Sequence, residues 1–126
     1  MAGDNLKELL FAFSEEIRLR ILVLLGRGSA LCVKCIVGVI NAPQPTVSRH
    51  LSILRRSGVV EVLKYEQRRY YSIKKRGPVG GLSEGIADFF YKSLKDKKPF
   101  NRDFKKLRKI GGACRLDCKV NLKAGA

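Results

Sequence analysis

Residues 44–58 read Gln44-Pro45-Thr46-Val47-Ser48-Arg49-His50-Leu51-Ser52-Ile53-Leu54-Arg55-Arg56-Ser57-Gly58, and this stretch decides the fold. Pro45 suits the first turn of a helix, where an N–H has no partner inside the helix, and Gly58 is a natural stop. Between them Val47, Leu51 and Leu54 recur at i, i+4 and i+7, which makes one apolar stripe. Gln44, Ser48, Arg49, Ser52, Arg55 and Arg56 fall on the other side, a face with amide, hydroxyl and guanidinium groups and no carboxylate. Amides and guanidinium groups pair bidentately with base edges in a major groove, while hydroxyls and arginines hold phosphates. The spacing therefore predicts a DNA-recognition helix, with Thr46 beside its polar face. His50, on the edge between the two faces, is expected to pack or to contact a phosphate. A solvated basic surface helix is the bland alternative, and the next segment weakens it.

Val59 to Tyr65 and Arg68 to Ile73 are β-branched and aromatic runs joined through Glu66-Gln67, as expected of a hairpin. Lys64, Arg68 and Arg69 stand at or near its tip. A recognition helix followed by a basic hairpin is the order of a winged helix-turn-helix, in which the helix enters the major groove and the wing touches the backbone. The predicted fold is α+β and mostly helical, a winged helix-turn-helix with a further helix after the wing.

Charge placement agrees. The 126 residues hold 26 Lys and Arg against 11 Asp and Glu, a net charge of +15. Residues 1–31 are neutral, with four basic and four acidic side chains, whereas residues 32–98 hold fourteen against five and residues 99–126 eight against two. A neutral start followed by a basic body predicts a polyanion footprint, here double-stranded operator DNA. No apolar run approaches the roughly 20 residues of a membrane span. The opening residues alternate in character as no signal peptide does, so a cytoplasmic location and no membrane partner are expected.

Towards the N-terminus, Leu6, Leu9, Leu10 and Phe13 predict a short helix over about residues 4–13. Ser14 is the expected cap of a second helix built on Ile17, Ile21, Leu24 and Leu25, with Arg18 and Arg20 off its stripe. Residues 31–40 have strand propensity but also helical spacing at Val33, Ile36, Val37 and Ile40, and a helix-turn-helix needs a helix here. After the wing, Gly77-Pro78 and Gly80-Gly81 read as a linker. Ser83 is the expected cap of a helix carrying Ile86, Phe89, Phe90 and Leu94, and Phe100, Phe104 and Leu107 predict one more short basic helix. We expect residues 1–98 to form the DNA-binding and dimerisation domain and residues 99–126 a basic C-terminal extension.

The four cysteines form two close pairs, Cys32 with Cys35 and Cys114 with Cys118. Without an export signal, metal binding or redox chemistry is a better reading than a disulfide framework. Two Cys pairs suit a tetrathiolate site for zinc or cadmium, and three thiolates suit trivalent arsenic or antimony. Buried inert thiols in the first pair, and exposed thiols in the second, are the plain alternatives. Basic neighbours such as Lys34, Arg115 and Lys119 also favour a dithiol switch. A lone histidine and scattered carboxylates give no acid-base pair, so no enzyme and no organic cofactor are expected.

The chain resembles the ArsR/SmtB family of small winged-helix repressors. The resemblance rests on Leu10 to Ser14, Ile17 to Leu22, Leu31-Cys32-Val33, Gln44 to Leu51 and Tyr70 to Ile73, and spans roughly residues 6–75. It implies a homodimer that blocks a promoter until a small inorganic signal, arsenite foremost, releases it. It also implies an interface from the first helix and the helix after the wing, here Leu6, Leu9 and Leu10 with Ile86, Phe89 and Phe90. Arsenic-responsive members carry Leu-Cys-Val-Cys before the recognition helix. In this chain Cys32 matches the first cysteine, Lys34 stands at the second, and Cys35 follows one residue late. A winged-helix repressor sensing oxidants or sulfur species, and an architectural nucleic-acid-binding protein, are the competing readings.

Overall fold

The computed structural model describes residues 3–77, 80–110 and 115–116. In chain order these form α1 (Gly3–Ala12), α2 (Glu16–Gly26), β1 (Ala30–Cys32), α3 (Val33–Ile40), α4 (Gln44–Arg56), β2 (Val60–Tyr65), β3 (Arg68–Ile73), α5 (Gly80–Leu94), α6 (Phe100–Ile110) and β4 (Arg115–Leu116). The fold is a winged helix-turn-helix.

Helix α2 is the axis of the core. Ile21, Leu22, Val23, Leu24 and Leu25 are all essentially inaccessible, so the helix is enclosed on nearly every side rather than along one stripe. Its N-cap is Glu15, whose carboxylate accepts the Arg18 N–H, and not the expected Ser14. The Ser14 hydroxyl instead donates back to the Phe11 carbonyl at 2.7 Å and so closes α1.

The segment at 31–40, expected as one helix, opens instead as a strand. Ala30–Cys32 is a strand, and the helix begins only at Val33. The reason is the wing: β1 pairs antiparallel with β3, Leu31 opposite Tyr71 and Cys32 opposite Tyr70, so the sheet supplies the partners of these buried backbone groups. The sheet order is β2-β3-β1-β4, with β2 and β3 in register from Val60↔Ile73 to Tyr65↔Arg68.

Helix α5 runs further back than expected. Ser83 lies inside it rather than capping it, buried with no hydrogen-bond partner for its hydroxyl among the described residues. Gly26 admits α5 to the core, since a Cβ there would sit 2.9 Å from the Ala87 carbonyl oxygen and 3.1 Å from Cβ of Tyr91. Helix α6 forms where Phe100, Phe104 and Leu107 predicted it, but the boundary expected at residue 98 does not isolate it. Those three side chains enter the same core as α2, and the Phe104 ring meets Tyr91 edge-on at 5.6 Å. Being strongly amphipathic, α6 has no fold of its own to form and buries its apolar face on α2, α3 and α5.

Candidate nucleic-acid interface

The recognition helix is set by the turn before it. Asn41 adopts a left-handed conformation (φ 60°), and its N–H bonds to the Val37 carbonyl, which ends α3. The Pro43 carbonyl then accepts from the N–H groups of Thr46 and Val47 to begin α4. Pro45 stands in the first turn, and Gly58, with φ 82°, turns the chain away after Ser57. Val47, Leu51 and Leu54 are buried beneath it, as the stripe predicted.

On the outer side Gln44, Ser48, Arg49, Ser52, Arg55 and Arg56 are exposed, and Thr46 is half-buried. No acidic residue lies on this helix, so its outer face is positive throughout. At the wing Lys64, Arg68 and Arg69 are exposed around a two-residue turn, where Glu66 takes φ 56°.

His50 departs from the expected set of DNA contacts, because its ring turns inward and is 9% exposed. Its Nδ1 lies 3.1 Å from NH1 of Arg18. A guanidinium only donates, so Nδ1 is the acceptor and the proton of the neutral ring resides on Nε2. The Glu15 carboxylate, 3.7 Å from the same nitrogen, is too far for a hydrogen bond but near enough to act through its charge. Burial pushes the His50 pKa below its ordinary value; Glu15 pulls it back up, and Arg18 and Arg49 push it down again. Burial likewise raises Glu15, but the N–H groups of Ile17 and Arg18 and the charges of His50 and Arg18 outweigh it and leave that carboxyl below its usual range.

Two arginines that the sequence reading left off the α2 stripe are structural. Arg18 is 4% exposed. Its Nε and NH2 donate to the carbonyls of Ala12 and Phe11, each at 3.2 Å, and its guanidinium lies 4.6 Å from the Phe11 ring centre. It thereby satisfies the C-terminal carbonyls of α1 while holding His50 of α4. Arg20 grips Asp103 of α6 with two bonds, at 2.9 and 2.7 Å, and reaches the Ile40 carbonyl at the end of α3 at 3.4 Å. One signal for both was present in the sequence: a helix apolar on all sides leaves an arginine no exposed side to occupy.

Cys32 caps α3 and Cys35 lies in its first turn, both buried. Cys114 and Cys118 lie outside the described residues. Among the described residues no three His, Cys, Asp or Glu side chains are grouped as a metal site would require. Of the expected interface residues, Leu6, Leu10 and Phe89 are exposed, and Ile86 and Phe90 are half-buried. Leu9 is a correction: it is wholly enclosed in its own chain, because α1 turns that side onto the core. Phe11, which the sequence reading passed over, is 56% exposed beside them. The ring of Phe13, just past α1, stacks on Phe90 of α5 at 5.5 Å. No helix among the described residues is long and apolar enough to cross a membrane.

Comparison with known proteins agrees with this geometry. Residues 15–62, from the α2 cap to β2, match the family described as bacterial regulatory protein, arsR family. An uncharacterized HTH-type transcriptional regulator of Methanocaldococcus jannaschii is 39% identical over 70 residues, covering 56% of this chain and 79% of that protein. The arsenic resistance transcriptional regulator ArsR1 of Pseudomonas putida is 28% identical over 94 residues, covering 68% of this chain and 73% of that one. The homodimeric winged helix-turn-helix DNA-binding domain Mb0332 of Mycobacterium bovis superposes with a TM-score of 0.57 at 26% identity, over 78% of this chain and 97% of that domain. These relatives are regulators and not enzymes. Matching sequence, matching fold and an acid-free recognition helix place this chain in the ArsR family of helix-turn-helix transcriptional regulators.

Proposed function

We propose that the chain is a homodimeric repressor, held on double-stranded operator DNA by α4 and the wing and released when cysteine thiolates bind a thiophilic ion, arsenite foremost. The observation that carries it is the placement of Cys32 as the cap of α3 and of Cys35 in its first turn, one short helix before the acid-free face of α4. The cap and the third residue of a helix turn their side chains towards each other, so two thiolates there can serve one soft ion.

A third thiolate has to come from elsewhere. The described part of the tail, Arg115–Leu116, pairs with β1 through Leu31↔Arg115 and Ala30↔Leu116. Cys114 is bonded directly to Arg115, and Leu31 directly to Cys32. The sequence neighbour of Cys114 thus pairs with the sequence neighbour of Cys32, which favours the second cysteine pair as the source of the third thiolate. Because Cys32 and Cys35 are buried, an ion that gathers their sulfurs disturbs the packing of α3, and with it the Asn41 turn that aims α4. Release follows if the ion binds the DNA-free arrangement more tightly, and couplings of this kind are typically about 1–3 kcal/mol. The same burial disfavours an oxidant as the signal, since redox-sensing thiols are solvent-accessible. The exposed apolar surface of α1 and α5, with Leu6, Leu10, Phe11 and Phe89, supports the dimer.

One experiment tests the whole reading: operator and random duplexes titrated with wild type, Arg49→Ala and Cys32→Ser proteins, with and without arsenite. Arg49→Ala should lose about 1–3 kcal/mol on operator and much less on random DNA. Cys32→Ser should bind operator as wild type does and stay bound when arsenite is added. Release of Cys32→Ser by arsenite at the wild-type concentration would show that the ion acts elsewhere.

A further inference from the structure

Helix α6 lies outside the residues that match the family, and its outer face has no role in the reading above. Arg102, Lys105, Lys106, Arg108 and Lys109 are all exposed. The helix has one acidic residue, Asp103, which is 2% exposed and held by Arg20. None of the five basic side chains pairs with a carboxylate among the described residues. Arg102 with Lys106, Lys105 with Lys109, and Lys105 with Arg108 are like charges at helical neighbour spacing, an arrangement that destabilises a helix in water. A polyanion along the face would remove that repulsion.

The flanks of α6 differ in where they lie. One flank adjoins the helix-turn-helix: Cδ1 of Ile110 sits 3.3 Å from where a Cβ on Gly38 would stand, and Lys106 Nζ reaches the Val39 carbonyl at 3.5 Å. Val39 is five residues before Gln44, the first residue of α4. Arg102 is one helical turn from Lys106 on this flank, and Lys109 stands at the crest. The other flank, with Lys105 and Arg108, borders a polar hollow shared with Arg27, Lys95, Asp96 and Asn101, towards the end of α5.

We propose that Arg102, Lys106 and Lys109 form an additional DNA-backbone contact, extending the footprint of the recognition helix along the flanking phosphates. The occupant is the same duplex that α4 reads, so the proposal rests on the DNA-binding reading. Uniform positive charge with no amide or hydroxyl to discriminate bases suits phosphates and not base edges.

The test uses the full chain and measures affinity for operator and for random duplex between about 50 and 200 mM salt. The combined Arg102→Gln, Lys106→Gln and Lys109→Gln protein should lose affinity equally on both duplexes. Its log K against log salt slope should shrink by about 0.9 for each phosphate no longer neutralised. The combined Lys105→Gln and Arg108→Gln protein, altered on the far flank, should keep nearly the wild-type slope per charge removed. Since Lys106 also touches Val39, the Arg102→Gln and Lys109→Gln pair is measured as well, with thermal unfolding to confirm folding; it should show the slope change of two phosphates set free. Arg49→Ala, run in parallel, reports on α4 alone through its loss of discrimination between the duplexes. If Arg49→Ala loses discrimination while the α6 variants keep the wild-type slope, the α6 contact is overturned and the α4 reading stands. Equal slope changes from the two flanks would also overturn it, because total charge and not this face would then set the slope. Binding to anionic phospholipid vesicles that depends on Arg102 and Lys109, with an unchanged DNA slope, would overturn it in favour of a membrane surface.

Discussion

Arg18 and Arg20 are two residues apart on the same helix, yet they fasten opposite halves of the molecule by different chemistry. Arg18 turns to one side and ties α1 to α4 through two carbonyls and a neutral imidazole. Arg20 turns to the other and ties α3 to α6 through a buried carboxylate and a carbonyl. In the Arg20 junction a full negative charge answers the guanidinium. In the Arg18 junction the partners are dipoles, and one of them can acquire a positive charge of its own. The first arrangement is strong; the second is weaker and holds an imidazole whose charge responds to pH. Both converge on the recognition helix, one by gripping His50 within it and the other by fixing the end of α3 before its turn.

The largest effect is therefore expected on the Arg20 side. Removing the carboxylate in Asp103→Ala strands a half-buried guanidinium and frees α6 from α3, at a cost of about 3–5 kcal/mol. Urea unfolding measures it. Replacing both partners, as Arg20→Met with Asp103→Leu, should recover much of the loss, since an apolar pair carries no stranded charge. If Asp103→Ala unfolded at the wild-type midpoint, α6 would be a passenger on the fold and the contrast between the two junctions would collapse.

That junction also marks where sequence reading stopped. The apolar stripes under α4 and α6 and the wing with its basic tip could be read because each is local: side chains a few residues apart report one face or one turn. Asp103 is 83 residues from Arg20, and nothing near either of them in the chain announces the pairing. The strand at Ala30–Cys32 showed only as propensity for the same reason, since its partners Tyr70 and Tyr71 stand far along the chain. Leu9 and Phe11 show a finer limit. Helical spacing finds the apolar residues of α1 but does not tell which of them meet the core and which face outward.

An intermediate effect is expected on the Arg18 side. Arg18→Met keeps the length of the side chain but leaves the carbonyls of Phe11 and Ala12, and Nδ1 of His50, without their donor. The expected loss is about 2–3 kcal/mol. It should come with weaker operator binding at equal folded fraction, because α4 loses its tie to α1. The comparison is sharpened by measuring both variants on DNA at a temperature where each is fully folded. Weakened binding from Arg18→Met alone would place control of α4 in the first junction, and weakened binding from Asp103→Ala alone would place it in the second.

The smallest effect separates the junctions by pH. His50 is the one histidine in the chain, so it is the one imidazole that titrates between the ordinary carboxyl and thiol ranges. Burial holds its folded pKa below the ordinary 6.5, the value it regains on unfolding. Above 6.5 both states are neutral and the Arg18 bond contributes fully. As pH falls through 6.5 the unfolded chain takes up a proton that the folded chain resists, so stability declines until the folded pKa is passed and then levels. Glu15 acts in the same direction but lower, because its carboxyl is held below the ordinary 4.5 and its contribution is lost only as pH falls through that value and beyond. A decline that begins near 6.5, before any carboxyl effect, is thus the signature of His50. His50→Asn keeps an acceptor close to the position of Nδ1 and cannot titrate, so its stability should stay level from pH 7 until the carboxyl range is reached. Should wild type and His50→Asn trace parallel curves between pH 7 and 5, the Arg18 junction would not respond to pH, and the imidazole would be no more than a packing group.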